Sequence, residues 1–322
     1  MIGLTTAIMA RWSMFGELGD FAPSLSRESS LVVYPSLGPN PGNLSAKTYV
    51  PASLRQGASL VVVLHGCDQT AEDCDLGTGW SEMADRHGFV VLFPEQRRSN
   101  NLHRCFNWFD PRNMQRGLGE PASIKQMIDQ VVEDHKIDSD QIFITGLSAG
   151  GAMAGVMLAT YPEMFAGGGL IAAMPFGVAR TSYSALQRMR VGGGELGPEL
   201  AELVRGASPH KGPWPCISIW HGTSDKTVDI SNAEASLAQW LGVHEISNSS
   251  VVTDLVDGFP HRVWHNAEGT AVIEEYSVTN MGHGTPLNLA DTDACGQSGP
   301  YSLKVGISST QHLGTFWGLD RR

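Results

Sequence analysis

No stretch of the 322-residue chain reaches the roughly 18 consecutive apolar residues that a membrane-spanning helix needs, so no membrane span is expected. Basic tracts are missing as well. The net charge is −11 with Asp and Glu dispersed, and the resulting field opposes nucleic acid and anionic membranes. An uncharged small substrate is the partner this balance favours, while oligomeric state is not readable. Five cysteines, Cys67, Cys74, Cys105, Cys216 and Cys295, are too few to frame a fold of this size; by number alone they allow two disulfides and a leftover thiol, or none. No Cys-x-x-Cys or paired-histidine spacing occurs, so chemistry with no metal and no cofactor is expected. Residues 1–10 are mildly apolar but lack a basic region, and Arg11 and Glu17 follow them, which makes a poor secretion signal. Leu4, Ile8, Trp12 and Phe15 fall roughly on one face of a short helix, so residues 1–30 read as a leader or short helix.

What is present is a hydrophobic content of 42%, enough for one large α/β domain over residues 31–322. That domain is organised around residues 142–151, Ile-Phe-Ile-Thr-Gly-Leu-Ser-Ala-Gly-Gly. A β-type run enters a glycine, Ser148 stands between small residues, and a helical pattern follows over residues 152–161. This is the strand, sharp turn and helix context of a G-x-S-x-G nucleophile elbow. A serine at the tip of such a turn, with positive φ, projects its Oγ above the sheet only if the positions two before and two after lack bulk; Gly146 and Gly150 meet that demand.

Around the elbow, strands alternate with helices. Residues 31–34 and 44–50 read as antiparallel edge strands, and residues 59–64, 89–94, 170–175, 216–222 and 272–278 as further strands, most of them buried. Helices are expected at 80–87, from Glu120 onward, at 231–241 and at 311–319. The pattern predicts a doubly wound, mainly parallel sheet flanked by helices, an α/β-hydrolase arrangement with its chemistry at the C-terminal ends of the strands. Two irregular regions stand out. Residues 95–120 bring Phe106, Trp108 and Phe109 beside Asn107, suited to clasping an acyl chain, or alternatively to covering the sheet edge. Residues 176–215, rich in glycine and proline, form a candidate lid insertion or a surface excursion.

Ser148 needs partners. Asp225 follows the 216–222 strand and His283 follows the 272–278 strand, which gives the chain order Ser, Asp, His of an α/β-hydrolase. A serine hydroxyl is too weak an acid to attack unaided. A neutral imidazole must take its proton and return it to the leaving alcohol, and a carboxylate on the other ring nitrogen fixes the tautomer. The backbone N–H groups of Cys67, after the 59–64 strand, and of Ala149 are the candidate oxyanion donors. Asp229 competes with Asp225 but lies nearer the next helix; His221, at a strand end, and His261, His265 and His312, read as lying in polar connections, are the other imidazoles.

The ordered motifs His65-Gly66-Cys67-Asp68-Gln69, Gly79-Trp80, Pro94-Glu95-Gln96, Cys105-Phe106-Asn107-Trp108-Phe109 and Gly146-Leu147-Ser148-Ala149-Gly150-Gly151 closely resemble the poly(3-hydroxybutyrate) depolymerase family of esterases, relatives of acetyl-xylan and feruloyl esterases. The resemblance implies a single-domain serine esterase acting on hydroxyalkanoate polyesters, their oligomers or short esters, with Ser148, Asp225 and His283 as triad and Phe106 and Trp108 at the substrate. It also implies a Cys67–Cys105 disulfide, with Cys216–Cys295 as a second pair and Cys74 free. Family members that degrade solid polymer often carry a separate binding module, and only about forty residues follow the catalytic region here, which favours soluble esters. The compartment stays open: secreted or periplasmic if the start is incomplete, otherwise cytoplasmic. Two alternatives remain, an acetyl-xylan or feruloyl esterase, and a non-catalytic hydrolase-like binding protein.

Overall fold

The aliphatic runs become the centre of one ten-stranded sheet. In a computed structural model that describes residues 29–35, 38–191 and 198–321, β1 (Val32–Val33) and β2 (Ser45–Tyr49) pair antiparallel at one edge. Six parallel strands follow, in the order β4 (Val90–Glu95), β3 (Leu60–Leu64), β5 (Ile142–Leu147), β6 (Gly167–Ile171), β7 (Cys216–Gly222) and β10 (Ala271–Val278). The antiparallel hairpin of β8 (Val252–Val256) and β9 (Phe259–His265) closes the other edge. A small second sheet pairs β11 (Thr285–Leu287) with β12 (Ser302–Lys304). The helix expected around Leu4, Ile8, Trp12 and Phe15 lies outside the described residues.

Side chains alternate across each central strand, so both faces must be covered. Val62 and Leu64 of β3 join one apolar cluster and Val61 and Val63 the other. The first cluster is roofed by α3 (Gly119–His135), α4 (Ala149–Thr160) and α7 (Ser231–Val243), through Ile128, Met153 and Leu237 among others. The second is roofed by α1 (Ala71–Thr78), α2 (Trp80–His87) and α8 (Ser309–Phe316), with Trp317 stacked 4.9 Å from Phe143 and 5.8 Å from Trp80. The expected C′ glycine of α2 is Gly88, with φ of 75°. Sequence periodicity missed α1, although Thr70 and Asp73 form a reciprocal capping box at its start.

The structure differs from expectation in three places, the first for a steric reason. The strand expected at 170–175 begins earlier, at Gly167. A Cβ on Gly168 would lie 2.4 Å from Leu158 of α4, and one on Gly169 2.8 Å from Leu313 of α8, so leucines from the two roofs fill the space the glycines leave. His261 and His265 lie within β9, and His312 within α8, rather than in connections. Within residues 176–215, where no pattern was legible, stand α5 (Ser182–Val191) and α6 (Glu199–Arg205); residues 192–197 lie outside the described residues.

Candidate active site

The turn after β5 is an elbow. Ser148 has φ 57° and ψ −118°, and its N–H donates to Ile171 O at 2.8 Å. A Cβ on Gly146 would lie 2.5 Å from the Gly150 carbonyl carbon, and one on Gly150 2.2 Å from Leu64 O. Strand and helix can therefore approach this closely only with glycine at both positions. Ser148 is 6% exposed and opens on a cavity of about 170 Å³.

Two loops at the same end of the sheet are bonded to each other. Thr223 N–H donates to Val278 O at 3.0 Å, Ser224 N–H to Met281 O at 2.9 Å, and Asn280 N–H to Thr223 Oγ1 at 2.9 Å. Gly222 makes this fit possible, since a Cβ there would meet Met281 O at 2.3 Å. The result is a contact of 2.7 Å between His283 Nδ1 and Asp225 Oδ2. The other oxygen of Asp225 accepts Thr227 N–H at 2.8 Å and Val228 N–H at 2.9 Å. Burial by itself pushes this carboxyl up, but the bond with His283, the charge of that ring and the Val228 N–H together hold it below the ordinary range. Asp229, the rival, instead accepts from the Ser231 backbone and hydroxyl at the start of α7. His221 bonds Val228 O at 2.9 Å and is kept neutral chiefly by burial. Asp225 and His283 are thus brought together; among the described residues no hydrogen bond joins the Ser148 hydroxyl to them.

The opposite wall is the loop after β3. Cys67 is bonded to Cys105 by a disulfide, and Asp68 N–H donates to His103 O, tying this loop to the 101–109 segment. Cys67 and Ala149 both line the cavity, and neither backbone N–H has an acceptor among the described residues. His65, whose side chain had no role in the sequence reading, proves central to the loop. Gln96 N–H donates to its Nε2 at 3.1 Å, which places the ring proton on Nδ1, 2.7 Å from Gly66 O. That carbonyl belongs to the same trans peptide group as the Cys67 N–H, so gripping one fixes the direction of the other. Burial lowers the affinity of His65 for a second proton.

Trp108 and Phe109, edge to face at 5.7 Å, line the cavity, as do Ala185, Leu186 and Met189 of α5. Phe106 does not: it is fully buried and packs 5.0 Å from the His65 ring, so its expected place at the substrate is corrected to the core. Asn101 and His103 add polar groups to the lining that the sequence reading passed over. The second disulfide is also corrected. Cys216 and Cys295 are both free; Cys216 packs against Gly167 at the start of β7, whereas Cys295 packs on Gly79 with its thiol toward Thr78 O. Burial pushes them to about 12 and about 11, so both are thiols at neutral pH. Cys74 is free, as expected, and is buried.

Comparison with known proteins places this geometry. The family described as esterase PHB depolymerase matches residues 44–252. The chain belongs to this family. Like other members of the PHB depolymerase esterases, the protein hydrolyses carboxylic esters. It is 42% identical over 305 residues to poly(3-hydroxyalkanoate) depolymerase C of Paucimonas lemoignei, covering 92% of this chain and 73% of that protein. It is 31% identical over 258 residues to an acetylxylan esterase of Coprinopsis cinerea, covering 78% and 68%. The fold matches the acetyl xylan esterase structure from Aspergillus awamori with a TM-score of 0.76 at 23% identity, over 90% of this chain and all of that one. The α/β-hydrolase fold of this esterase is thereby shown. No helix among the described residues is long and apolar enough to cross a membrane.

Proposed function

We propose that this esterase cleaves 3-hydroxyalkanoate polyesters, their oligomers and short esters through an acyl intermediate on Ser148. The observation that carries the reading is the mostly apolar cavity opening on Ser148 between the disulfide-tied Cys67 loop and α5. Its size suits the small alkyl-bearing units of such a polyester. Nε2 of His283, the ring nitrogen that Asp225 leaves unengaged, takes the proton of Ser148 Oγ as that oxygen bonds the ester carbonyl carbon. The Cys67 and Ala149 N–H groups receive the developing oxyanion, the latter at the positive end of α4. As the ester C–O bond breaks, the imidazolium returns the proton to the alcohol. Water then repeats the sequence and releases the acid. Helix α5 acts as part of a cap and completes the acyl wall.

The relatives favour a polyester over a polysaccharide, since identity is higher to the depolymerase than to the acetylxylan esterase. The second reading, removal of acetyl or feruloyl groups from xylan, rests on the latter. Release of 3-hydroxybutyrate from its oligomers, measured beside release of acetate and ferulate from xylan, separates the two; dominance of acetate or ferulate sinks the polyester reading. Labelling by a fluorophosphonate tests the nucleophile, and folded protein without an adduct on Ser148 removes it and points to a binding protein.

A further inference from the structure

The aromatic wall of the cleft hangs from a buried carboxylate. Glu120, in the first turn of α3, is 3% exposed and faces no basic side chain at hydrogen-bond distance among the described residues. Instead its two oxygens gather amide donors. Oε1 accepts Gln96 Nε2 at 2.7 Å and Asn107 Nδ2 at 2.7 Å, and Oε2 accepts the Asn107 backbone N–H at 2.9 Å. The same Gln96 nitrogen also reaches Cys105 O at 3.2 Å. Asn113 holds both ends of the arrangement, accepting Glu120 N–H at 2.9 Å and donating to Asn107 O at 2.9 Å. Gly42 closes the site from behind; a Cβ there would fall 2.5 Å from the Glu120 Cα. Asn107 immediately precedes Trp108 and Phe109, the residues that wall the cavity.

We propose that Glu120 is a positioning residue that, as a carboxylate, holds Asn107 and through it sets Trp108 and Phe109 against the acyl part of the substrate. The proposal rests on the reading of the Ser148 cavity as the ester cleft. A carboxylate is suited to this task because all its lone pairs accept, and three amide donors converge on it. A neutral side chain there must turn a donor toward a donor. Burial raises the Glu120 carboxyl to about 7, against the pull of its amide donors; Asp110 across the loop, itself paired with Arg112, adds to the rise, and His65, behind Gln96, is held neutral by burial. The grip therefore loosens as pH falls through neutrality.

The test compares a hexanoyl with an acetyl p-nitrophenyl ester, using the ratio of their kcat/KM values so that ionisation of the general base cancels. In Glu120→Gln the ratio is expected to fall about tenfold, the loss appearing in KM for the longer ester. In the wild type the ratio is expected to rise from pH 6 to pH 8, and in the variant to stay flat. Asn107→Ala, which removes one donor from a part-buried position, shifts the ratio the same way to a smaller extent and serves if Glu120→Gln does not fold. An unchanged ratio in both folded variants, or a flat wild-type ratio, overturns the proposal while fluorophosphonate still labels Ser148. Failure of that label in the wild type brings down the cleft reading and this proposal together.

Discussion

At the scale of single residues, the elbow separates chemistry from stability. Ser148 makes its structural hydrogen bond through its backbone N–H, so Ser148→Ala keeps that bond and loses only the hydroxyl. Turnover of p-nitrophenyl acetate is expected to fall by about 10⁴-fold or more, with the thermal midpoint within a few degrees of wild type. Near-normal turnover excludes Ser148 as nucleophile. Gly150→Ala is the converse case. Its new methyl meets the backbone oxygen of Leu64, which no rotamer change relieves, so a loss of about 2 kcal/mol or more in urea unfolding is expected. The G-x-S-x-G spacing was legible for this reason: it encodes a steric requirement that holds in any fold with this turn. The roles of His65 and Phe106 were not legible, because each depends on what arrives from elsewhere. Gln96 orients the ring of His65, and that ring then packs on Phe106.

At the scale of elements, buried aliphatic runs announced themselves as strands, while a glycine-rich strand and an exposed hairpin did not. Strand β6 opens on three glycines, whose lack of side chains reads as loop until Leu158 and Leu313 are seen to fill the gaps. The β8–β9 hairpin keeps most of its β8 side chains in solvent, so no buried pattern marked it. Pairing of cysteines was equally tertiary: the Cys67–Cys105 bridge joins two loops that meet only above the sheet, while Cys216 and Cys295 pack on different partners. That bridge spans a sequence separation of 38 residues, and chain-entropy reasoning assigns it up to about 4 kcal/mol. Replacing both cysteines by alanine is expected to lower the urea midpoint and to weaken turnover of long esters more than of acetate, since the bridge ties the 67–68 loop to the Trp108 wall. A variant of unaltered midpoint and selectivity refutes this.

At the scale of the whole molecule, the far edge of the sheet carries its own pH response. His261 on β9 lies 2.8 Å from Asp254 on β8 and 3.3 Å from Glu274 on β10, so one imidazolium clasps three strands. Burial alone lowers its proton affinity, but the bonds to Glu274 and Asp254 outweigh it and the folded value lies above the ordinary 6.5. A raised folded value means that the clasp contributes fully below about 6.5 and is lost as pH climbs through the higher value. Amide exchange in the β8–β9 hairpin is accordingly expected to quicken, beyond its intrinsic pH trend, above neutrality in the wild type, and to show no such excess pH step in His261→Gln. An identical pH dependence in both proteins refutes the clasp.

The division of labour around the cavity has an evolutionary corollary. The reactive groups proposed here come from three strand ends, two of them laced together by main-chain bonds, whereas the facing surfaces come from residues 101–109 and from α5. Drift in those facing segments can redirect the enzyme toward new acyl groups with the reactive scaffold inherited unchanged. Grafting α5 from a polysaccharide-acting relative onto this chain is the direct way to watch preference change hands while the underlying chemistry carries on.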